Sequence, residues 1–399
     1  MKVLVGWDDP KEAETIDLFL NVGETEATIS TSADEFEKLA ATGVWDILMM
    51  ALNFPTTEEC FPLFQKVRQL QPDAPILGAC HQGEIVHLAK FVSHGLHSFV
   101  TRDADGEFVL LLNSVIESAS ASVLAQRSRQ LAERLREEID SVRRLQESVI
   151  PRDLPILNGY SIAGRYEPAQ IRVLGNTPVV LAGGDYYDVF SPDNRTLILL
   201  LGDAAGHGIK ACMSIMSMRT LIGLIRDRRY QDTGHFVEEV NRGLASKTIV
   251  QDEGGFITLL YCALDTMTNR LQFTSAGHPM PLLHNLDTNE VIPLGTEREA
   301  GMPLGIIAEQ TYEVGTAVIP ENCRVLLYSD GLADAFPMEG KEHVQYGEEG
   351  IYRTLKASAH LPLEQAMERL FADSNAFTLG SGRHDDTSLV LVERQRLSS

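Results

Sequence analysis

A heptad pattern between residues 116 and 150 does most to limit how this chain of 399 residues can fold. Apolar side chains recur there in two series at intervals of seven or fourteen residues, with Arg and Glu on the flanks: Leu124, Leu131 and Leu145, and offset by four, Leu135, Val142 and Val149. This a/d pattern predicts one long helix, which Pro151 and Pro155 end. The preferred interpretation is a parallel coiled-coil homodimer, weakened by Glu138 and Ser128. The alternative is an amphipathic helix packed on a neighbouring domain.

The residues before this helical linker alternate between short apolar runs and amphipathic stretches. The predicted strands are Val3–Gly6, Asp46–Leu52, Ile76–Ala79 and Ser98–Thr101. The predicted helices are Phe36–Ala41, Phe61–Leu70 and Ile85–Ser93. This βαβ rhythm predicts an α/β, doubly wound parallel sheet over residues 1–115.

This first region resembles a two-component receiver domain, but residues that the phosphoryl chemistry requires are replaced. Ala51 stands at the position of the acceptor aspartate, Cys80 at the Ser/Thr position and Arg102 at the lysine position. Trp7 replaces one of two expected acids, which leaves Asp8 and Asp9. Because alanine has no nucleophilic carboxylate, we predict a pseudo-receiver that senses an unidentified upstream partner. An unrelated flavodoxin-like domain is the alternative, and fold resemblance assigns no function to either.

Composition excludes several classes of function. The net charge of −22 argues against a nucleic-acid partner. No uninterrupted apolar run approaches the ~20 residues that cross a bilayer, and acidic residues interrupt the N-terminus too early for a signal peptide. Five widely spaced cysteines without a Cys-x-x-Cys pair argue against a zinc knuckle or a disulfide framework. We therefore expect a cytoplasmic protein without a membrane partner.

The last region, residues 156–399, is rich in predicted strands and contains five short acidic or glycine-rich motifs. The motifs are GGDYYD at 183–188, GDAAGHG at 202–208, SAGHP at 275–279, SDGL at 329–332 and HDDTS at 384–388. Aspartates at strand ends and tight turns can converge in space, and a hard cation such as Mg²⁺ or Mn²⁺ neutralises such a cluster. The sequence therefore predicts a hydrolase that uses metal-activated water.

The order of these motifs resembles the bacterial branch of the metal-dependent (PPM) serine/threonine protein phosphatases, in particular the sporulation-protein-E and stress-regulator type. The resemblance covers about residues 156–396, and the preceding segment LQESVIPRDLP at 145–155 is similar to the family's helical lead-in. It implies an α+β domain in which a β-sandwich is flanked by helices. The predicted domains are thus 1–115 (pseudo-receiver), 116–155 (coiled-coil linker) and 156–399 (phosphatase).

The resemblance also implies roles for individual residues around two Mn²⁺ or Mg²⁺ ions. Asp203 would bridge the ions, with the Ala204 carbonyl as a further ligand. Asp330 would hold one ion and Asp185 the other, with Asp188 near it. Asp385 matches the last ligand of the family better than Asp386, which is the fallback. Two such ions activate water for in-line attack, so that no protein nucleophile is required.

The leaving-group acid is the least defined part of this prediction. The larger eukaryotic relatives place a histidine two positions after the bridging aspartate, where this chain has Ala205. His207 and His278 are candidates, although turn or packing roles are preferred for both. The acid is then water or the surroundings of the substrate.

The resemblance implies a phosphoserine/phosphothreonine protein phosphatase acting on a phosphorylated regulator of the anti-sigma-factor antagonist type. The N-terminal domain would regulate this activity through the helical linker. A metal-binding pseudophosphatase that serves as a scaffold in partner switching is the competing hypothesis. The retained aspartates argue against it, because a pure scaffold need not keep all of them.

Overall fold

The computed structural model describes residues 1–22, 25–103, 106–151, 153–172, 178–180, 183–206, 208–229, 231–246, 255–337, 343–379 and 383–396. Contacts divide the chain into two compact units, Met1–Leu135 and Arg136–Ser399. This division falls within the helical linker, between the limits predicted at 115 and 155. Those domain limits stay predictions.

The N-terminal unit is built on a five-stranded parallel sheet. Its strands are β1 (Lys2–Gly6), β2 (Glu26–Ser30), β3 (Ile47–Ala51), β4 (Ile76–His81) and β5 (Leu96–Arg102). Their order in the sheet is β2-β1-β3-β4-β5. Its first helices are α1 (Pro10–Leu20), α2 (Ala33–Thr42), α3 (Cys60–Leu70) and α4 (Ile85–Ser93), with a 3-10 turn at Gln82–Glu84. This strand order is one of the two common doubly wound orders, and β1, β3 and β4 are buried along nearly their whole length, as strands covered on both faces must be.

Helix α5 (Val109–Val149) runs through the predicted linker and across the division between the units. Its first turns belong to the N-terminal core, where Leu112, Ile116 and Ala119 are buried. By length and composition alone α5 could cross a membrane, since one window of 18 residues has a mean hydropathy of 1.3 and is 22% buried. A single such helix is weak evidence for a membrane span.

The C-terminal unit is a sandwich of two mainly antiparallel sheets. One sheet has the order β15-β12-β11-β10-β9, with β16 also paired to β12, and the other has the order β14-β13-β17-β18-β6. A separate hairpin joins β7 (Gln170–Arg172) and β8 (Pro178–Val180). The first sheet contains β9 (Asp185–Phe190), β10 (Thr196–Ala204), β11 (Ile257–Asp265), β12 (Arg270–Ala276), β15 (Ala300–Gly301) and β16 (Gly315–Val318). The second contains β6 (Tyr160–Glu167), β13 (Leu282–Asn285), β14 (Glu290–Pro293), β17 (Cys323–Tyr328) and β18 (Thr387–Arg394).

Three hydrophobic clusters hold this sandwich and its helices together. Alternate residues of β10, such as Leu197 and Leu199, meet Val325 of β17 between the sheets. The other face of the first sheet packs on α6 (Ile209–Arg229) and α7 (Thr233–Ala245). The other face of the second sheet packs on α9 (Gly347–Ala357) and α10 (Leu363–Phe377). These two helices follow the short helix α8 (Asp330–Ala333). The predicted β-sandwich flanked by helices is confirmed.

Candidate active site

Strand pairing in the first sheet places two of the predicted aspartates opposite each other. In the antiparallel register of β9 and β10, Asp185 pairs with Asp203. The Ala204 amide donates to the Gly184 carbonyl at 2.9 Å, which fixes the end of β10 on the turn that precedes β9. A Cβ on Gly184 would lie 2.6 Å from the Ala204 carbonyl oxygen. Glycine therefore leaves open the carbonyl that the sequence predicts to be a ligand.

The second sheet supplies the other aspartates from two neighbouring strands. β17 ends at Tyr328 and Asp330 opens α8, whereas Asp385 comes two residues before β18. Since Tyr328 pairs with Leu389 in the β17–β18 register, both aspartates lie at one edge of the sandwich. Their charges act on each other and on Asp203. The fold thus brings together carboxylates that are up to 200 residues apart in sequence.

Burial and mutual repulsion raise the pKa values of these carboxyl groups. Burial, followed by the charges of Asp330 and Asp385, raises the pKa of Asp203 to about 8. Burial and then Asp330 raise the pKa of Asp385 to about 7. The pKa of Asp185 is raised well above its usual range, first by burial and then by the charge of Asp203. Such a cluster is costly unless protons or a cation neutralise it.

The residues at this edge suit a hard divalent cation in their chemistry. All the side-chain donors are carboxylate oxygens, which Mg²⁺ and Mn²⁺ prefer, and Asp330 Oδ1 is buried without a hydrogen-bond partner among the residues that the structure describes. Yet among the described residues no three acidic, histidine or cysteine side chains stand close enough together to hold a metal ion. Asp185 is held by Ser329, whose hydroxyl donates to its Oδ2 at 2.6 Å. The chemistry of the donor set fits the ions.

Asp386 differs from the other aspartates because its carboxylate is already hydrogen-bonded. Its Oδ1 accepts from the Ala169 amide at 2.8 Å and the Tyr166 hydroxyl at 3.3 Å, and its Oδ2 accepts from the Gly184 amide at 2.6 Å. A Cβ on Gly183 would lie 1.9 Å from this Oδ2. Asp386 is therefore well placed to hold the turn before β9, whereas Asp385 has a carboxylate oxygen to offer an ion. This geometry supports the preference for Asp385.

Two residues without a predicted role hold the backbone and side chain of Asp185. Ser329, besides its bond to Asp185, accepts from the Ser388 amide at 2.9 Å and so connects the two sheets. Gln146, 1% exposed near the end of α5, donates to the Asp185 carbonyl at 3.1 Å and accepts from the Gly183 amide at 2.7 Å. Their places in the SDGL and LQESVIP segments were visible in the sequence, but their bonds were not.

Two further predictions about this site can be compared with the structure. Asp188 was expected near Asp185, but it lies on the other face of β9, where it accepts from the Tyr186 hydroxyl and faces Arg219 and Arg226 of α6. That expectation is wrong, because side chains alternate between the two faces of a strand, so that residues three positions apart point to opposite faces.

His278 is 4% exposed and bonds Thr258 through Nδ1 at 2.8 Å, and burial lowers its pKa to about 3. A neutral imidazole fits the packing role. His207 lies outside the described residues.

In the N-terminal unit an internal ion-pair network occupies the acidic end of the sheet. Arg102, 3% exposed, donates to Asp8 at 2.7 Å, to Glu12 at 2.6 Å and to Asn53 at 3.1 Å. Its guanidinium also lies 4.8 Å from the centre of the Trp7 ring. Asp9 instead caps α1 by accepting from the Lys11 and Glu12 amides. An arginine thus neutralises the Asp8 carboxylate, and Ala51, at the acceptor position, is fully buried.

The sequence of this chain is similar to those of known phosphatase-family proteins. The family model for stage II sporulation protein E (SpoIIE) matches residues 193–395, slightly more than half of the chain. Protein IcfG of Synechocystis sp. is 23% identical over 314 residues, which are 72% of this chain and 46% of that protein. The phosphoserine phosphatase RsbP of Bacillus subtilis is 25% identical over 205 residues, which are 49% of this chain and 45% of that protein.

The chain therefore spans less than half of the length of either of these relatives. Among solved structures, the SiaA-PP2C domain of Pseudomonas aeruginosa aligns with a TM-score of 0.54 at 17% identity, over 66% of this chain and 98% of that domain. This likeness shows a common fold.

Proposed function

The chain belongs to the stage II sporulation protein E family and carries its PPM-type phosphatase domain, and we propose that it is a metal-dependent phosphoserine/phosphothreonine protein phosphatase. The observation that carries this proposal is the convergence of Asp185, Asp203, Asp330 and Asp385 at one edge of the sandwich, where burial raises the pKa of each. RsbP, a similar protein, is a phosphoserine phosphatase.

The residues of this chain would act by binding the ions and by keeping the ligand-bearing turns in place. Asp203 pairs with Asp185 of the neighbouring strand, and the charges of Asp330 and Asp385 from the other sheet act on its carboxyl group. Two divalent ions bound by these carboxylates and the Ala204 carbonyl would supply an activated water and offset charge on the phosphoryl oxygens. Asp386, Ser329 and Gln146 would keep the ligand-bearing turns in place. His278, buried and bonded to Thr258, would keep a packing role.

We further propose a phosphorylated protein of the anti-sigma-factor antagonist type as the substrate, as the sequence resemblance implies. The N-terminal unit would receive a signal from a partner and the linker helix would carry it. The bonds from Gln146 to Gly183 and Asp185 support such a route, because they connect α5 directly to a predicted ligand turn. The homodimer, the cytoplasmic location and the limits 1–115, 116–155 and 156–399 belong to the same proposal.

The enzyme is tested by comparing wild type with Asp203→Asn and Asp188→Asn in a phosphatase assay with Mn²⁺. Both changes are isosteric and lie on neighbouring strands, but only Asp203 belongs to the carboxylate cluster. We expect Asp203→Asn to lose activity by at least about a hundredfold, as removal of an electrostatic catalytic group commonly does. Asp188→Asn should retain most of the wild-type rate.

Equal rates from wild type and Asp203→Asn would exclude the hypothesis that the chain is a phosphatase and would leave the scaffold hypothesis. The substrate class is tested separately, by offering phosphorylated antagonist proteins and unrelated phosphoserine peptides to the wild type. Dephosphorylation of the peptides alone, with the antagonists untouched, would contradict the substrate but not the activity.

A further inference from the structure

A polar cavity of about 260 Å³ lies in the N-terminal unit, away from the ion-pair network of Arg102. It is lined by the end of α3, the segment before β4, the start of β5 and one face of α5. The lining residues that can bind a ligand through polar groups are Arg68, Asp73, His97, Gln126, Arg127 and Gln130. Neither the sequence motifs nor the proposed phosphatase mechanism uses any of them.

Two guanidinium groups are held in place at this cavity by consecutive backbone carbonyls. Arg127 donates to the Asp73 carbonyl at 2.8 Å, and Arg68 donates to the Ala74 carbonyl at 2.9 Å. A guanidinium has five N–H donors in a fixed plane, so each arginine keeps donors for a ligand. Within the part of the chain that the structure describes, no carboxylate forms an ion pair with either group. Their charges are therefore not matched by an internal partner.

The charge and size of the cavity define the class of ligand. Two arginines face one acidic side chain, so the lining carries a net positive charge in a chain whose net charge is −22. Guanidinium forks match the oxygens of phosphate and carboxylate groups. The volume is below the ~300–1,000 Å³ that is usual for drug-sized ligands. We propose that this cavity binds a small oxyanion, either a phosphate compound or a polycarboxylate, between Arg68 and Arg127.

The position of the cavity gives such binding a structural consequence. Arg68 belongs to α3, whereas Arg127 lies on α5 between Leu124 and Leu131 of the heptad seam. An anion held by both side chains would tie this part of α5 to the body of the N-terminal unit. The ligand would thereby stabilise the segment of helix that precedes the phosphatase domain.

Isothermal titration calorimetry on the full chain tests the proposal without any phosphatase substrate. Protein and buffers are freed of metal on a chelating resin, so that the aspartate cluster offers no cation to an anion. The probes are inorganic phosphate, pyrophosphate and citrate. We expect saturable binding of one equivalent of at least one probe, weakened tenfold or more in Arg68→Gln and in Arg127→Gln. Pyrophosphate binding without citrate binding would identify the phosphate class, and the converse the polycarboxylate class.

Arg129→Gln is the matched control, because it removes the same charge from the same helix outside the cavity lining. It should bind as the wild type does. Arg127 is exposed, so its variant tests the site even if Arg68→Gln perturbs folding, which circular dichroism reports. Absence of saturable binding to wild type, or equal affinity in Arg127→Gln and Arg129→Gln, would overturn the proposal. Neither result depends on whether the protein is a phosphatase.

Discussion

Single glycines and carboxylates decide whether the ligand turns of the C-terminal unit can approach one another. The Asp386 carboxylate and its own backbone carbonyl fill the space beside two motif glycines. A Cβ would lie 1.9 Å from Asp386 Oδ2 at Gly183 and 1.9 Å from the Asp386 carbonyl oxygen at Gly331. Gly183 and Gly331 are thus explained by close approach to Asp386 of the HDD segment, and Gly184 by close approach to the Ala204 carbonyl.

Gly183→Ala should therefore destabilise the C-terminal unit. The added methyl group cannot fit without displacing Asp386 from the Gly184 and Ala169 amides, and overpacking of this kind costs about 1–3 kcal/mol. Gly223→Ala is the control, since Gly223 is exposed in α6 and its Cβ would meet nothing within 4 Å. That change should stabilise by about 1 kcal/mol through helix propensity. Urea unfolding measures the stability of both variants. An unchanged midpoint for Gly183→Ala would contradict the close packing of Gly183 against Asp386.

The raised carboxyl pKa values predict how the stability of the metal-free protein depends on pH. Asp203 has a pKa of about 8 in the fold and of about 3.9 in an unfolded chain. The folded state then binds more protons between these values, so the free energy of unfolding falls as pH rises from about 4 to about 8. We expect the melting temperature to decrease over this window, and to decrease less in Asp203→Asn. A parallel pH profile in the two proteins would show that Asp203 is not the source.

Among the secondary-structure elements, α5 has two distinct ends. Its first turns pack into the N-terminal core through Leu112 and Ile116. At its other end Gln146 is buried and Val149 packs against the cluster beneath α6 and α7. Between these ends its seam leucines are exposed, as Leu131 at 60% and Leu135 at 55% illustrate. The helix is thus packed at its two ends, as the amphipathic alternative expects. In its middle the seam leucines are exposed.

Gln146→Ala should lower both the turnover number and the stability of the C-terminal unit. The change leaves the Gly183 amide and the Asp185 carbonyl without their partner, at a cost of about 1–3 kcal/mol for each buried group left unsatisfied. We expect at least a tenfold lower kcat and a higher Mn²⁺ concentration at half-maximal activity. Ser148→Ala, exposed on the same turn, should change neither quantity. A lower melting temperature with unchanged kcat and Mn²⁺ dependence would reduce Gln146 to a purely structural residue.

For the whole molecule, the exposed seam is the feature that most directly suggests self-association. Leu124, Leu131, Leu135 and Leu145 are each more than half exposed, and burying one leucine side chain contributes about 1.5–3 kcal/mol. Glu138 interrupts the series, and an acidic side chain buried without a partner is costly. The predicted coiled coil is therefore of moderate stability, which suits a protein that switches between states close in free energy.

The double variant Leu135→Glu with Leu145→Glu should dissociate the predicted dimer, because like charges would replace two apolar pairs in the seam. Arg136→Glu with Arg144→Glu is the control, since it changes the charge more but lies outside the seam. Light scattering at several protein concentrations measures the mass of each. If the seam variant has the same mass as wild type and the same phosphatase rate, the linker has no part in assembly or control.

Sequence patterns predicted most of the architecture, and the exceptions have physical reasons. Short apolar runs identified β1, β3 and β4, because a strand that is buried on both faces is apolar along nearly its whole length. Strand β2 was missed, since Glu26–Ser30 lies at the sheet edge and is only partly buried. Helix α1 was missed although Asp9 and Pro10 are a helix-start signal. The coiled coil and the receiver-like identity of the N-terminal unit stay predictions.

The identities of the motif residues predicted the class of site, because carboxylates that converge at strand ends and turns suit a hard cation, and the order of the motifs carried the resemblance that implies two such ions. The tertiary structure decided which aspartates have free oxygens. It placed Asp188 on the opposite face of β9 and engaged Asp386 with amides from two other segments. It also decided the roles of Gln146 and Ser329, whose partners lie 39 and 144 residues away. Hydrogen bonds over such separations depend on strand register and helix packing, which no local pattern in the sequence encodes.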